Sequence, residues 1–197
     1  METSTSLYPD MNVLDAIYKR RAIRRYSSKS IEEQIVRALL NAAVQAPSAM
    51  NLQPWSFTVI QQVKLLQKLS DQAKEFLLKD PKWKAASEHG QLPLADPEFD
   101  IFYGATTLII ICAKLEGFSP TADCYLAGQN LMLAACSMGL GTCPIGFARD
   151  VLQNKSWKKN LKIPEDFIPV FPIIVGYPLG ATQKVKRDPP HILSWIR

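Results

Sequence analysis

Apolar residues recur at helical spacing in the first third of the chain. After Asn12, the residues Val13, Ala16 and Ile17 fall on one face, and Lys19, Arg20 and Arg21 close the run. A helix capped by Asn12 therefore delivers positive charge into a turn. Ile31, Ile35, Ala38, Leu39 and Ala42 repeat in the same way until Pro47, and Ser30 and Glu33 have the spacing of a capping box, which predicts a second helix. Residues 55–60, WSFTVI, are aromatic and β-branched and follow Pro54 directly, so they predict a strand, placed centrally in its sheet.

Beyond that strand the pattern alternates. Residues 63–79 form an amphipathic helical run, and the polar stretch that follows, with Pro81, Gly90, Pro93 and Pro97, reads as a loop with little regular structure that is long enough to cover a site. TTLIIIC at 106–112 is an unbroken apolar run and predicts a buried strand. Residues 121–138 are apolar nearly all round and predict a core helix ended by Gly139 and Gly141. A short extended piece at 142–145 and a buried strand at 170–175 complete the pattern before a polar, then basic, tail. Strands separated by helices after a helical first third indicate an α+β fold, with a central mixed β-sheet flanked by helices.

Composition narrows the class. A chain of 197 residues can bury a core of its own as one domain spanning 1–197, and 47% hydrophobic with 21% charged residues is an ordinary globular balance. The longest apolar run is far below the roughly 20 residues of a membrane helix, and the opening METSTSLYPDMN lacks the basic start and apolar core of a signal peptide, so a cytoplasmic protein is expected. Cys112, Cys124, Cys136 and Cys143 contain no CxxC pair, and His89 and His191 are the only histidines, so no metal site is expected. The net charge of +5 is gathered in KRRAIRR and KVKR without interleaved aromatics, which suits a compact anion such as a phosphate better than nucleic acid.

GLGTCPIG has glycines at 139 and 141, but Pro144 takes the third glycine position and the stretch follows a helix rather than a strand, which disfavours a dinucleotide loop. No GxxxxGK[ST] occurs, and nothing supports a Ser-His-Asp arrangement. In KRRAIRRY, Arg20, Arg21 and Arg24 lie within one helical turn and the bend after it, where guanidinium forks can grip phosphate oxygens. Taken alone, such a cluster reads more readily as a solvated basic surface. APSAMNLQPWSF adds a shaped polar loop in which Pro47 ends a helix, Ser48 and Asn51 offer short polar contacts, and Gln53 precedes a rigid Pro-Trp entry into a strand.

Three stretches, KRRAIRRY, APSAMNLQPWSF and AGQNLMLAACSMGLGTCPIG, followed by IIVGYP and a basic segment, together resemble the signature regions of the nitroreductase family of flavoproteins, in order and over most of the chain. The resemblance implies an intertwined homodimer with FMN in clefts built by both subunits, and NADH or NADPH alternating at the flavin with a small-molecule acceptor in a ping-pong reaction. Nitroaromatics, quinones and similar flat conjugated compounds are the acceptors it implies; a specialised relative of dehalogenase, azoline oxidase or flavin-fragmenting type, or a non-catalytic FMN carrier, is the alternative. By the same resemblance, Arg20, Arg21, Arg24 and Arg187 bind the phosphate and ribityl chain, with Lys184 or Lys186 as helpers, and Ala22 stands where many relatives carry a serine hydroxyl. Pro47, Ser48 and Asn51, with Gln53 as a neighbour, correspond to the stretch that reaches the flavin from the partner subunit. Pro144, Ile145 and Gly146 correspond to the segment against one face of the isoalloxazine, where a backbone N–H near Gly146 reaches the hydride-accepting nitrogen. No side chain is implied as a catalytic acid or base, because the flavin carries the chemistry.

Overall fold

The computed structural model describes residues 11–115, 117–180 and 185–197. Asn12 caps α1 (Val13–Lys19) as expected, its side chain accepting from the Asp15 N–H at 2.9 Å. Of the apolar face only Ala16 is buried; Val13 and Ile17 remain exposed. The capping box at Ser30 does not form. Helix α2 (Glu33–Ala43) begins later, with Glu32 at its cap and no side-chain cap bond, because Ile31 is drawn into the core and keeps the preceding chain out of the helix.

Strand β1 (Trp55–Ile60) has the predicted bounds but not the predicted place. Among the described residues it pairs with β2 (Thr107–Lys114) on one side only and so lies at the edge of the sheet. Helix α3 (Val63–Leu77) follows. The next stretch, expected as a loop, contains α4 (Pro81–Glu88): Pro81 sits in the first turn, where its missing N–H is harmless, and the Asp80 carboxylate accepts from Lys82 N–H at 2.8 Å.

Helix α5 (Pro120–Ser137) lies across the sheet, and β3 (Gly141–Pro144), α6 (Arg149–Leu152), α7 (Lys155–Asn160) and β4 (Phe167–Gly176) complete the chain. The strand order is β1-β2-β4-β3, and all three ladders are antiparallel. The expected mixed character is thus confined to one isolated parallel bridge, Ala22 to Thr142. Alternation along β2 divides the core: Leu108 and Ile110 face Leu66, Phe102 and Trp157, while Ile109 and Ile111 face Leu39, Leu131 and Trp55. Helices α2 and α5 cover this second face and α3 and α6 the first, which gives the α+β layering expected from the sequence. Among the described residues, no helix is long and apolar enough to cross a membrane.

Candidate functional site

The basic run leaves α1 as an extended strap. Ile23 N–H donates to Thr142 C=O at 2.9 Å, Ser27 N–H to Tyr177 C=O at 2.9 Å and Leu179 N–H to Arg25 C=O at 2.9 Å, so the arginines are tied to β3 and to the chain leaving β4. Two apolar side chains seat the strap. An added Cβ at Gly141 would lie 2.8 Å from Ile23, and one at Gly176 would lie 2.7 Å from the Tyr26 ring. Buried Tyr26 also donates its hydroxyl to Ile23 C=O at 2.8 Å.

The strap lines a cavity of about 510 Å³ whose wall carries Arg21, Arg24, Arg25 and Arg187. Positive groups separated by much of the sequence therefore meet in one depression. Arg21 is held in place by Nη1 donating to Tyr18 C=O and Arg20 C=O, each at 2.7 Å. Among the described residues, the Nε atoms of Arg20 and Arg21 are buried and have no hydrogen-bond partner; Arg20 itself lines not this cavity but a neighbouring depression with Lys19 and Cys136. Such donors are costly to leave unmatched, and an anion's oxygens would satisfy them. Ala22 also lines this cavity; Lys186 is exposed and does not, and Lys184 lies outside the described residues.

A second cavity, of about 470 Å³, shares Arg24 with the first. Pro144, Ile145 and Gly146 form one wall, positioned where β3 ends, by Ile145 N–H donating to Pro172 C=O at 2.9 Å. Gly146 is exposed, and a Cβ added there would meet nothing within 4 Å. The other walls carry Tyr103, Trp83 and Phe147, with Arg149 and Asp150 at α6. Cys143 also lines the cavity, but it is buried, and burial pushes its thiol up against the opposing influence of Arg24 and Arg20, which suits a packed thiol.

The sequence reading missed Tyr103, Trp83, Phe147 and Arg25. Tyr103 has φ +54°, a left-handed conformation uncommon for a bulky residue. The Asp100 carboxylate imposes it, accepting from Phe102 N–H and Gly104 N–H at 2.9 Å each, and Asp100 before Gly104 was the sequence signal for that turn. Tyr103 stands 5.9 Å from the Arg24 guanidinium; burial raises its phenol pKa while Arg24 opposes the shift. The covering segment is pinned from below by buried Lys74, whose Nζ donates to Asp96 C=O at 3.3 Å and Pro97 C=O at 3.2 Å.

Pro47, Ser48, Asn51 and Gln53 line neither cavity of their own chain. They form a rigid, outward-facing loop: Ser48 Oγ accepts from Gln53 N–H at 3.0 Å, Gln53 Nε2 donates to Asn51 Oδ1 at 3.1 Å, and Ala49 N–H donates to the buried Asp123 carboxylate. Met50, Asn51 and Gln53 all have positive φ.

The nitroreductase family model matches residues 17–177. A "Putative NADH dehydrogenase/NAD(P)H nitroreductase" of Methanothermobacter thermautotrophicus is 30% identical over 193 residues, which span 94% of this chain and 88% of that protein. A nitroreductase from Bacteroides fragilis, solved with bound FMN, is similar with a TM-score of 0.81 and 26% identity over 95% of this chain and all of its own. An FMN-dependent nitroreductase from Clostridium difficile has a TM-score of 0.76 at 26% identity, again over 95% of this chain. The chain belongs to the nitroreductase family.

Proposed function

We propose that this protein is a single-domain, cytoplasmic, FMN-dependent NAD(P)H oxidoreductase that acts as a homodimer on flat conjugated acceptors such as nitroaromatics and quinones. The observation that carries the proposal is the pair of adjoining cavities that share Arg24, one ringed by arginines and the other walled by aromatic and backbone groups. This polarity matches a ligand with a phosphate at one end and a conjugated ring system at the other. The unpartnered Nε donor of Arg21 fits the phosphate end, and the space at Gly146 fits the ring end.

Bound FMN would supply the redox chemistry, hydride transfer between a nicotinamide and an acceptor. The residues bind and orient. Arg21, Arg24 and Arg187 would neutralise the phosphate. Pro144, Ile145 and Gly146 would offer a wall and a backbone N–H at the ring end, where Tyr103 and Trp83 line the same cavity. An open aromatic slot selects planar shape more than a particular hydrogen-bonding pattern, which supports a broad acceptor class and alternating occupancy of one slot.

Dimerisation is supported by apolar side chains that the single chain leaves in water. Val13, Leu14 and Tyr18 on α1 are each more than 60% exposed, and Leu193, Trp195 and Ile196 protrude from the tail. A role for Pro47, Ser48, Asn51 and Gln53 at the partner's flavin is supported by their outward-facing loop, which lines neither of these cavities in its own chain.

An absorption spectrum of the purified protein, repeated without oxygen after adding NADH or NADPH, tests the reading. A yellow protein bleached by either nucleotide is expected. A protein that stays colourless after FMN is supplied overturns it, and a yellow one that no nucleotide bleaches replaces it with a carrier role.

A further inference from the structure

We propose, on the basis of the oxidoreductase reading above, that Trp83 is the specificity-determining residue of the acceptor slot, selecting against wide planar acceptors. Trp83 lines the ring-end cavity together with Gly146 and Tyr103. Its indole meets Phe147 edge-to-face, with ring centroids 5.8 Å apart and planes at 84°, so the two rings brace each other in the cavity wall. At about 470 Å³ the cavity falls within the range of ligand sites, roughly 300 to 1,000 Å³. The indole is the bulkiest side chain in its wall, and a wide planar acceptor would press on it where a compact one would not.

The placement of Trp83 separates this role from a role in folding. It sits on α4, which has no fully buried residue; Asp80 and Pro81 fix the start of that helix, and Lys82 Nζ lies 5.6 Å from the indole ring. The side chain is half-buried and packs on Phe147 at the margin of the core, outside the fully buried cluster. Truncating it therefore enlarges the slot while leaving the sheet, the arginine strap and Gly146 in place.

The test compares the wild-type protein with Trp83→Phe and Trp83→Ala, each loaded with FMN. Two acceptors, 1,4-benzoquinone and the three-ring 9,10-phenanthrenequinone, give a ratio of kcat/KM. Calorimetric binding of two non-reducible carboxylates, benzoate and 2-anthroate, gives a ratio of Kd that needs no turnover. Trp83→Ala is expected to shift both ratios toward the larger compound by about tenfold or more, the scale of altering a pocket wall by a few carbons. Trp83→Phe should fall between, with FMN content and Tm close to wild type. Unchanged ratios in Trp83→Ala, or equal changes for small and large ligands, overturn the inference. Wild-type protein that binds both carboxylates with discrimination yet takes no electrons from NAD(P)H would instead remove the oxidoreductase reading and leave the role of Trp83 in size selection standing.

Discussion

Gly141 and Gly176 face each other across the β3–β4 ladder, and each leaves the space that seats one side chain of the arginine strap, Ile23 over the first and Tyr26 over the second. The strap is otherwise held by few backbone hydrogen bonds, so the two absent Cβ atoms set how closely the arginines approach the sheet. Gly141→Ala should push Ile23 outward, because the nearest atoms include the Ile23 Cβ, which cannot rotate away. The expected result is a loss of about 1–3 kcal/mol in stability by urea denaturation. FMN retained after dialysis should also fall, although no arginine has changed. Retention equal to wild type would show that the position of the strap does not control the site.

The meeting of Arg21 and Arg187 in one cavity gives a sharper test of the phosphate end. Each charge-assisted contact is worth about 1.5–3 kcal/mol, so Arg21→Ala and Arg187→Ala should each weaken FMN binding about ten- to a hundredfold by fluorescence titration. Lys159→Ala, an exposed change on α7, is the control and should bind FMN like the parent. If Arg187→Ala binds as tightly as that control, the tail contributes nothing to the phosphate.

Much of this arrangement was legible in the sequence, and the exceptions have identifiable physical causes. The bounds of β1 were clear because Pro54 fixes its start and its side chains suit a pleated surface, but those preferences are equal for edge and central strands. The edge position follows from β2 and β4 pairing with each other, a long-range choice no local pattern encodes. Helix α4 was missed because Pro81 reads as a breaker unless Asp80 is recognised as its cap. The arginine cluster was visible as charge, whereas Tyr103 and Trp83 carry no motif and reach the cavity only through the turn at Asp100 and the placement of α4. The loop from Pro47 to Gln53 was found by its resemblance to the family; its own hydrogen bonds explain its rigidity but not its target.

Alkaline pH should destabilise the fold through its buried thiols. Burial pushes Cys112 from 9.0 up to about 11, with Thr58 and Lys158 opposing, and Cys124 from 9.0 up to about 12. Unfolding frees both to ionise at their ordinary values, so above those values the unfolded state holds fewer protons than the folded one and stability falls as pH rises. This contribution is complete below roughly pH 8.5 and is lost progressively as the pH climbs to about 11 for Cys112 and about 12 for Cys124. Urea midpoints measured across this range should fall less steeply for a Cys112→Val, Cys124→Ala double variant than for the wild type. Parallel curves would mean that the thiols are not what the alkaline transition reports.

Gly146 separates ligand binding from folding in the opposite sense to Gly141. A Cβ at Gly146 meets nothing within 4 Å, and the residue does not have a positive φ, so the chain itself does not require glycine there. Replacing it with alanine should leave stability unchanged or raise it by about 0.4–1 kcal/mol, because the unfolded chain loses conformational freedom. If the ring end of FMN comes against this backbone, the same methyl group should obstruct it, and FMN affinity should drop while the urea midpoint holds or rises. Gly141→Ala should lower both quantities, so the two alanine variants together distinguish a glycine kept for the fold from one kept for the ligand. Undiminished FMN binding by Gly146→Ala would move the flavin ring away from the Pro144–Gly146 wall, and the ring-end assignment of that cavity would fail with it.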